Sequence, residues 1–256
     1  MEPLVSIITA AYNSERTIYE TIQSVIMQNY DNWEMIIVDD GSTDHSVEWI
    51  GNIIKAESRI RLLKNSDNRG PALSRNLGLK EARGKYITFI DSDDIWLEQF
   101  LSSTISLMEN EGYPLVFSSY RRISEDRCEN FGNFIVPDKV SYSMLLKTNY
   151  ISCLTAVYNS EIVGKRYFNT SIPLFEDYLY WLTILKEGYV AHGQKEVLAL
   201  YRIRRGSVSR NKLGGYKYIW AIHKNIERVP FYKRVYLIIC YALYGIRKNY
   251  PFIFLK

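Results

Sequence analysis

The chain has 256 residues, 47% of them hydrophobic, and a formal net charge of +4. This length and composition support a sizeable core, as one large domain or one domain with an appendage. Three widely separated cysteines, without paired spacing, argue against a disulfide framework and favour reduced thiols. No apolar run reaches the ~20 residues of a membrane span, and no signal-peptide pattern precedes the strand-like pattern at Val5. These features predict a cytoplasmic globular protein.

Strands and helices alternate over the first hundred residues. The predicted strands are Leu4–Thr9, Trp33–Val38, Arg59–Leu63 and the apolar run of Lys85–Ile90. Segments with apolar residues at helical spacing separate them, and Ser14 is expected to cap the first helix. This alternation predicts an α/β fold with a mostly parallel, twisted sheet flanked by helices.

Polar residues follow three of these strands. Tyr12-Asn13, Asp39-Asp40 and Asp91–Asp94 each come just after a strand. Because ligands bind outside the carboxyl ends of parallel strands, we expect the three groups to share one edge of the sheet. The acids of Asp91–Asp94 suit a shared cation. The alternative is a solvated turn in which Asp93 or Asp94 caps the following helix, and Asp94 is the residue expected to cap a helix beginning near Trp96.

The second half of the chain has a less regular pattern. Its predicted elements are a helix over Leu97–Asn110, strands over Leu115–Phe117 and Val197–Arg202, a short helix over Ser141–Lys147 and a helix opened by Phe175–Tyr178. Polar and aromatic residues from Arg121 to Val140 predict an irregular excursion over the site. The predicted organisation is one domain over 1–210 and a helical extension over 211–256.

Several motifs together resemble those of the family 2 glycosyltransferases, which have the GT-A fold. The match covers about residues 4 to 210 and lies in the order of the family's motifs. The matching motifs are Val5–Thr9 with Tyr12-Asn13, Ile37–Asp44, Asn68–Gly70, Arg75-Asn76, Phe89–Asp94 and Glu176-Asp177. The family often has proline at the position of Ala10 and histidine at that of Arg204.

The resemblance assigns the donor-binding residues. Tyr12 is expected to stack on a nucleotide base, unless it is an ordinary core tyrosine. Asp40, with Asp39 beside it, is expected to accept the ring N–H of a base such as uracil, although either residue can instead cap the next helix. Asp93 is expected to coordinate Mn²⁺ or Mg²⁺ on the diphosphate, and Asp91 to contact ribose or the metal.

The resemblance also implies further contacts with the donor and a catalytic base. Asp177 is expected to remove the proton from the acceptor hydroxyl in an inverting transfer; the alternative is simple charge complementarity at a helix start. The additional donor-binding candidates are Thr9, Arg69, Arg75, Ser92, Arg202 and Arg204, with Ser207 and Ser209 in a closing loop. Arg69 and Arg75 can equally be solvated or paired within the protein.

The C-terminal extension is basic and aromatic. Its apolar run from Val235 to Ile246 is flanked by Lys233-Arg234 and Arg247-Lys248. This pattern suits a helix lying in a membrane interface, where basic residues meet anionic headgroups. The alternatives are packing on the catalytic domain or on another subunit; nucleic-acid binding is not expected, because a helical apolar run is not a base-stacking platform.

The predicted function is an inverting transfer of a sugar from a nucleotide-sugar donor, a UDP-sugar in the leading interpretation, to a glycan acceptor. The resemblance and the basic extension favour an acceptor on a lipid carrier such as undecaprenyl diphosphate, at the inner face of the cytoplasmic membrane. One alternative is an inactive sugar-nucleotide-binding scaffold. Another is a nucleotidyltransferase, which usually carries a glycine- and lysine-rich loop where this chain has Ala10–Ser14.

Overall fold

The computed structural model describes residues 2–203 and 212–249, with side chains except those of 212–214 and 246–249. The predicted contacts of Arg204, Ser207 and Ser209 lie outside this part. Ten strands form one sheet: β1 Val5–Ala11, β2 Trp33–Asp39, β3 Ile60–Lys64, β4 Tyr86–Phe89, β5 Ile95–Trp96, β6 Leu115–Ser124, β7 Asn130–Phe134, β8 Lys139–Val140, β9 Ala156–Asn159 and β10 Ala191–Ile203.

Helices cover both faces of this sheet. They are α1 Ile18–Ile26, α2 Ser46–Ile54, α3 Pro71–Glu81, α4 Phe100–Glu111, α5 Tyr142–Leu145, α6 Ser160–Val163, α7 Glu176–Lys186, α8 Lys212–Ala221 and α9 Phe231–Asn249. Two clusters of buried apolar side chains form the core, one containing α7 and the other α1. The alternating pattern of the first hundred residues therefore gives the α/β architecture that it predicts.

The strand order of the sheet is β3-β2-β1-β4-β9-β6-β10-β5. β1 runs parallel to both β2 and β4, and β6 runs parallel to β10. β9 is antiparallel to β4 on one side and to β6 on the other. The long pairings of the sheet are parallel, as predicted, but five of the nine pairings in the described part are antiparallel, so the sheet is mixed, and β9 joins its two parallel parts.

The excursion predicted from Arg121 to Val140 contains regular strands. β6 continues to Ser124, β7 pairs with it in an antiparallel hairpin, and β8 pairs with β10. The residues of β7 are mostly exposed. Because a solvated strand has no apolar face, its sequence lacks the alternation that would have identified it.

The C-terminal helices pack against the rest of the protein. The Tyr178 hydroxyl of α7 lies 2.9 Å from Nε2 of buried His223. Glu227 is also buried; it pairs with Lys186 Nζ at 2.8 Å and accepts a hydrogen bond from the Tyr142 hydroxyl. In the described part of the chain, no helix combines the length and apolarity that crossing a membrane would take.

Candidate active site

Three neighbouring strands end at one edge of the sheet. In the register of the sheet, Ala11 of β1 lies opposite Asp39 of β2, and Ile8 of β1 lies opposite Phe89 of β4. Because these strands are parallel, the residues at and after their carboxyl ends share this edge. The predicted donor-binding residues carried by these three strand ends are Thr9, Tyr12, Asp39, Asp40, Asp91, Ser92 and Asp93.

Asp40 is buried and organises the loop that leads into α3. Its Oδ1 accepts hydrogen bonds from Asn65 Nδ2 at 2.7 Å, Ser74 Oγ at 2.8 Å and the Arg69 amide at 3.0 Å. Its Oδ2 accepts a hydrogen bond from the Gly70 amide at 2.7 Å. Four donors of the protein therefore already bind the Asp40 carboxylate, for which the family resemblance predicts a contact with the nucleotide base.

Asp39 and Thr9 are buried and have polar atoms without a protein partner. Asp39 Oδ2 accepts a hydrogen bond from the Ser42 amide at 3.2 Å. Neither Asp39 Oδ1 nor Thr9 Oγ1 has a hydrogen-bond partner among the described residues. Because an unpartnered buried polar atom costs about 1–3 kcal/mol, these two atoms suit a ligand that supplies the missing contacts. The ring of Tyr12, 45% exposed, is accessible at the same strand end.

Arg75 connects this edge to α7. Its guanidinium lies 2.6 Å from Asp91 Oδ1 and 2.9 Å from Glu176 Oε1. The side chains of Arg75 and Glu176 are largely buried, so this ion pair is shielded from water and from salt, whereas Asp91 is partly exposed. Arg75 therefore holds the acids after β4 next to the start of α7, and its charge is balanced by protein carboxylates.

Asp91 and Asp93 fit a divalent cation that also binds a ligand. Both are partly accessible at the edge of the sheet. Mg²⁺ and Mn²⁺ prefer oxygen ligands, and Mg²⁺ in phosphate-handling sites is usually held by one or two carboxylates together with substrate phosphates. Over residues 2–203 and 212–249, no three His, Cys, Asp or Glu side chains form a group that could hold a metal. The pair thus suits a cation completed by phosphate oxygens.

The expected capping role of Asp94 is wrong. Asp94 is buried, and its Oδ1 accepts a hydrogen bond from the Arg202 amide of β10 at 2.8 Å. The next residues form β5, which pairs with β10, and α4 begins only at Phe100. Burial, followed by the charges of Asp93 and Asp91, raises the pKa of Asp94 well above its ordinary value. Asp94 therefore fixes β10 to the edge of the sheet.

The predicted cap of α1 is also wrong. Ser14 does not cap α1 through its side chain, since Thr17 is the residue preceding the helix.

Asp177 lies in the first turn of α7. Its Oδ1 accepts a hydrogen bond from the Tyr178 amide at 2.7 Å, and its Oδ2 accepts one from Asn149 Nδ2 at 3.2 Å. Burial, followed by the neighbouring Glu176 carboxylate, raises the pKa of Asp177 to about 6. A carboxylate with a pKa near neutrality can accept a proton in a reaction at physiological pH.

The remaining predicted contacts are made within the protein. The exposed Arg69 side chain lies 3.2 Å from Asp67 Oδ1. The buried guanidinium of Arg202 pairs with Glu20 of α1. The Ser92 carbonyl accepts a hydrogen bond from Thr17 Oγ1 at 2.9 Å. These three residues therefore shape the walls of the site.

Two side chains to which the sequence assigned no role in the site complete the surroundings of Asp177. Glu176 pairs with Arg75, and Asn149 binds the Asp177 carboxylate. Asn149 lies in a segment without helical or strand periodicity, so its sequence gives no signal of this contact. Glu176 stands beside Asp177 in the motif, but its partner is 101 residues away along the chain.

Comparison with known sequences identifies bacterial relatives. Residues 6–163 match the family described as glycosyl transferase family 2. The chain is 34% identical over 248 residues to the putative teichuronic acid biosynthesis glycosyltransferase TuaG of Bacillus subtilis, covering 97% of this chain and 98% of the relative. It is 36% and 38% identical to WfgD and WfaP of Escherichia coli, covering 96% of this chain and 95% of each relative. Both are UDP-Glc:α-D-GlcNAc-diphosphoundecaprenol β-1,3-glucosyltransferases.

Solved structures show the same fold. Staphylococcus aureus TarS (residues 1–349) in complex with UDP superposes with a TM-score of 0.68 at 17% identity, covering 98% of this chain and 75% of that chain. The mannosyltransferase PcManGT of Pyrobaculum calidifontis, in complex with GDP-Man and Mn²⁺, gives a TM-score of 0.69 at 18% identity, covering 90% of this chain and 66% of that chain.

Proposed function

The chain belongs to glycosyl transferase family 2, and from this premise we propose that it transfers a sugar from a UDP-sugar to a hydroxyl of a lipid-linked glycan. The observation that carries the proposal is the chain of contacts from Asp91 through Arg75 to Glu176, the neighbour of Asp177. It holds a partly buried carboxylate with a raised pKa beside a pair of acids suited to a cation on the donor diphosphate.

Asp39 is the residue proposed to accept a hydrogen bond from the nucleotide base. Its unpartnered Oδ1 requires a donor, and the ring N–H of uracil supplies one. Asp40, whose oxygens already accept four hydrogen bonds, instead holds the loop around that base. Thr9 Oγ1 is a further contact, and Tyr12 offers a ring on which the base can stack. The names of WfgD and WfaP, which specify UDP-Glc, support a uridine donor.

Asp93 and Asp91 are the proposed ligands of Mg²⁺ or Mn²⁺. When bound, such an ion neutralises charge on the leaving diphosphate. Arg75 keeps Asp91 in place by pairing with one of its oxygens. Arg202 and Arg69 support the walls through Glu20 and Asp67, while Arg204 remains a proposed phosphate contact.

Asp177 is the proposed catalytic base. The acceptor oxygen attacks the anomeric carbon and forms a new C–O bond while the bond from that carbon to the β-phosphate oxygen breaks. Asp177 takes the proton of the acceptor hydroxyl, and UDP leaves. Attack on the face opposite the leaving group inverts the anomeric configuration. Asn149 directs the carboxylate by binding its Oδ2.

The proposed acceptor is carried on a lipid diphosphate at the inner face of the cytoplasmic membrane. Two relatives act on an undecaprenol-diphosphate acceptor according to their names. In this chain, Tyr232, Tyr236, Ile239 and Leu243 recur at helical spacing on α9, each more than half exposed. We call these four residues the α9 stripe. An exposed apolar stripe beside the basic Lys233 suits shallow insertion among anionic lipids.

The test of this function compares two variants with a panel of UDP-sugars and a GlcNAc-diphosphate lipid acceptor. Asp177→Asn is expected to reduce transfer at least 10³-fold while keeping the Mn²⁺-dependent thermal shift with the donor, since only the proton acceptor is lost. Asp93→Ala is expected to lose both transfer and that metal-dependent shift. Full transfer by Asp177→Asn would refute the assignment of the base, and a wild-type protein stabilised by no UDP-sugar would refute the donor class.

A further inference from the structure

A cavity of about 380 Å³ is lined in part by Asn149, the side chain that donates a hydrogen bond to Asp177. One wall is the segment Phe134–Pro137 between β7 and β8, and the opposite wall is Thr148–Tyr150. Tyr244 of α9 and Lys195 of β10 complete the lining. This volume lies within the range of about 300–1,000 Å³ typical of small-molecule pockets.

The wall Phe134–Pro137 is fixed by the sheet beneath it. The Val136 amide donates a hydrogen bond to Ser119 Oγ at 3.1 Å. Gly193 of β10 approaches so closely that an added Cβ would lie 1.9 Å from the Pro137 carbonyl oxygen. The wall is therefore preformed by packing against β6 and β10.

Asn149 belongs both to this cavity and to the surroundings of the base. Its Nδ2 binds Asp177 Oδ2 at 3.2 Å, so the cavity begins one side chain away from the proton acceptor. The candidate donor contacts lie elsewhere, at the ends of β1, β2 and β4. Of the two substrates of a transferase, the cavity is thus placed for the one that gives up its proton.

The lining matches a sugar attached to a diphosphate. Phe134, Tyr150 and Tyr244 provide aromatic surfaces, against which the C–H faces of a sugar ring can pack. Thr148 and Asn149 provide polar groups for hydroxyls. Lys195 Nζ lies 3.0 Å from Asp138 Oδ1 in an exposed ion pair. Because such a pair contributes little stability, Lys195 can exchange Asp138 for a diphosphate oxygen.

The position of Tyr244 connects the cavity to the α9 stripe. The Tyr244 ring contacts that of Tyr150 edge-on, with centroids 6.0 Å apart. Tyr244 directly follows Leu243, the last residue of the α9 stripe. Successive residues of a helix point about 100° apart, so Tyr244 lies on a face of α9 that adjoins the stripe, and a lipid chain leaving the cavity would follow the surface of α9 to reach it.

We propose that this cavity is the acceptor subsite and that it holds the sugar and diphosphate of the lipid-linked acceptor. This assignment rests on the proposed function, since it presupposes that Asp177 activates an acceptor hydroxyl. In this subsite, Tyr244 of α9 and the wall Phe134–Pro137 both contact the acceptor.

The test measures binding of acceptor analogues to the full chain in the presence of UDP and Mn²⁺. The probes are GlcNAc, GalNAc and Glc, each linked through a diphosphate to a phenoxyundecyl chain, and calorimetry gives their Kd. Tyr244→Ala and Ile135→Ala, on opposite sides of the cavity, are each expected to raise the Kd of the tightest probe about tenfold while the Kd of UDP stays constant. Tyr167→Ala, which removes a comparably exposed ring outside the cavity, is the matched control and is expected to change neither value.

Unchanged probe binding in both cavity variants would overturn the proposal, as would wild-type protein that binds UDP but none of the three probes. These outcomes differ from failure of the proposed function, in which wild-type protein would show no Mn²⁺-dependent response to UDP-sugars. A diphosphate-phenoxyundecyl compound without a sugar distinguishes binding of the sugar from binding of the diphosphate. We expect it to bind at least tenfold more weakly than the tightest glycosylated probe, and equal binding would overturn the sugar assignment.

Discussion

Arg75 shows how a single side chain can join two parts of a site that lie far apart in sequence. It is buried between Asp91, which follows β4, and Glu176, which begins α7. A buried charge is tolerable only when it is paired, and here one cation is shared by two carboxylates. The arginine therefore stabilises the fold and at the same time sets the position of the first turn of α7, which carries Asp177.

Replacement of Arg75 by methionine should be strongly destabilising. The change leaves Asp91 and the largely buried Glu176 without a cation, and losing one partner of a buried pair costs about 3–5 kcal/mol. We expect the free energy of unfolding, measured by urea titration, to fall by about that amount. Arg69→Met is the matched control, because Arg69 pairs with Asp67 on an exposed surface, and its effect should stay below about 1 kcal/mol. Equal effects of the two variants would contradict the assigned role of Arg75.

Transfer should depend on pH through Asp177. Its pKa is about 6, against an ordinary aspartate value near 3.8, because burial disfavours the charged form. A base must be ionised to accept a proton, so kcat/KM should fall about tenfold per pH unit below pH 6 and level off above it. Initial rates between pH 4.5 and 8 measure this dependence. UDP-sugar binding is measured at each pH, so that weaker donor binding is distinguished from protonation of the base. A rate that stays constant down to pH 5 would be inconsistent with this base.

Several of these residues can be identified from sequence and others cannot. Acids placed after buried parallel strands predict a shared edge, because the geometry of such sheets brings strand ends together. Which of Asp39 and Asp40 faces a ligand is not readable locally, since adjacent residues differ only in their tertiary contacts. Asn65 and Ser74 donate hydrogen bonds to Asp40, which is why Asp39 is the residue proposed for the ligand. The ion pair between Arg75 and Glu176 cannot be predicted from the local sequence either, because no local pattern specifies a partner 101 residues away.

At the scale of secondary structure, the contact between α3 and the sheet sets the position of Arg75. Gly78 lies on α3 where an added Cβ would come within 2.7 Å of Ile8 Cγ2 on β1. This close approach lets the helix lie directly on the sheet. α3 begins with Pro71 after Gly70, which has a φ of 86°, so both the start and the buried face of the helix are fixed by residue type.

Glycine-to-alanine changes on two helices should have opposite effects. Gly78→Ala should lower the free energy of unfolding by about 1–3 kcal/mol, because the new methyl group displaces Ile8 or the helix. Gly51→Ala, on α2, meets no atom within 4 Å and should raise stability by about 0.5–1 kcal/mol through helix propensity. Urea titration of both variants measures the difference. Stabilisation by Gly78→Ala would show that α3 is free to move away from the sheet.

The strands that sequence patterns missed are either exposed, as β7 is, or very short, as β5, β8 and β9 are. β1, β2 and β4 are predominantly apolar and almost entirely buried, and they are predicted within two residues of their ends. β7 is an exposed hairpin strand, and β5 has only two residues, so neither has a periodic signal. The start of α4 was predicted too early, because the backbone pairing of β5 with β10 takes precedence over the local helical pattern.

At the scale of the whole molecule, the C-terminal helices combine a buried side with an exposed one. His223 and Glu227 fix them to α7 and α5 from inside, while the α9 stripe faces outward. This arrangement accounts for the aromatic and basic composition of the extension, since the same helices serve the core and an external surface. The acceptor subsite proposed above lies where the two meet, at Tyr244.

The α9 stripe should bind anionic vesicles. We expect the protein to sediment with phosphatidylglycerol-rich vesicles, and much less with neutral phosphatidylcholine vesicles or at high salt. Ile239→Asp with Leu243→Asp should release it, because charged groups oppose insertion of the apolar side chains. Ile162→Asp is the control at an exposed isoleucine away from α9. Binding that is unaffected by the double variant, or self-association in place of vesicle binding, would rule out this membrane contact.

The place of β9 in the sheet has a consequence for synthesis on the ribosome. β9 spans Ala156–Asn159 and is the strand that pairs with the free side of β4. Until those residues leave the exit tunnel, the nascent chain carries β4 as an edge without its β9 partner, directly before Asp91 and Asp93. Unpaired edges invite pairing with other chains. In the interval between emergence of β4 and emergence of β9, we therefore expect this edge to be open to pairing with other chains.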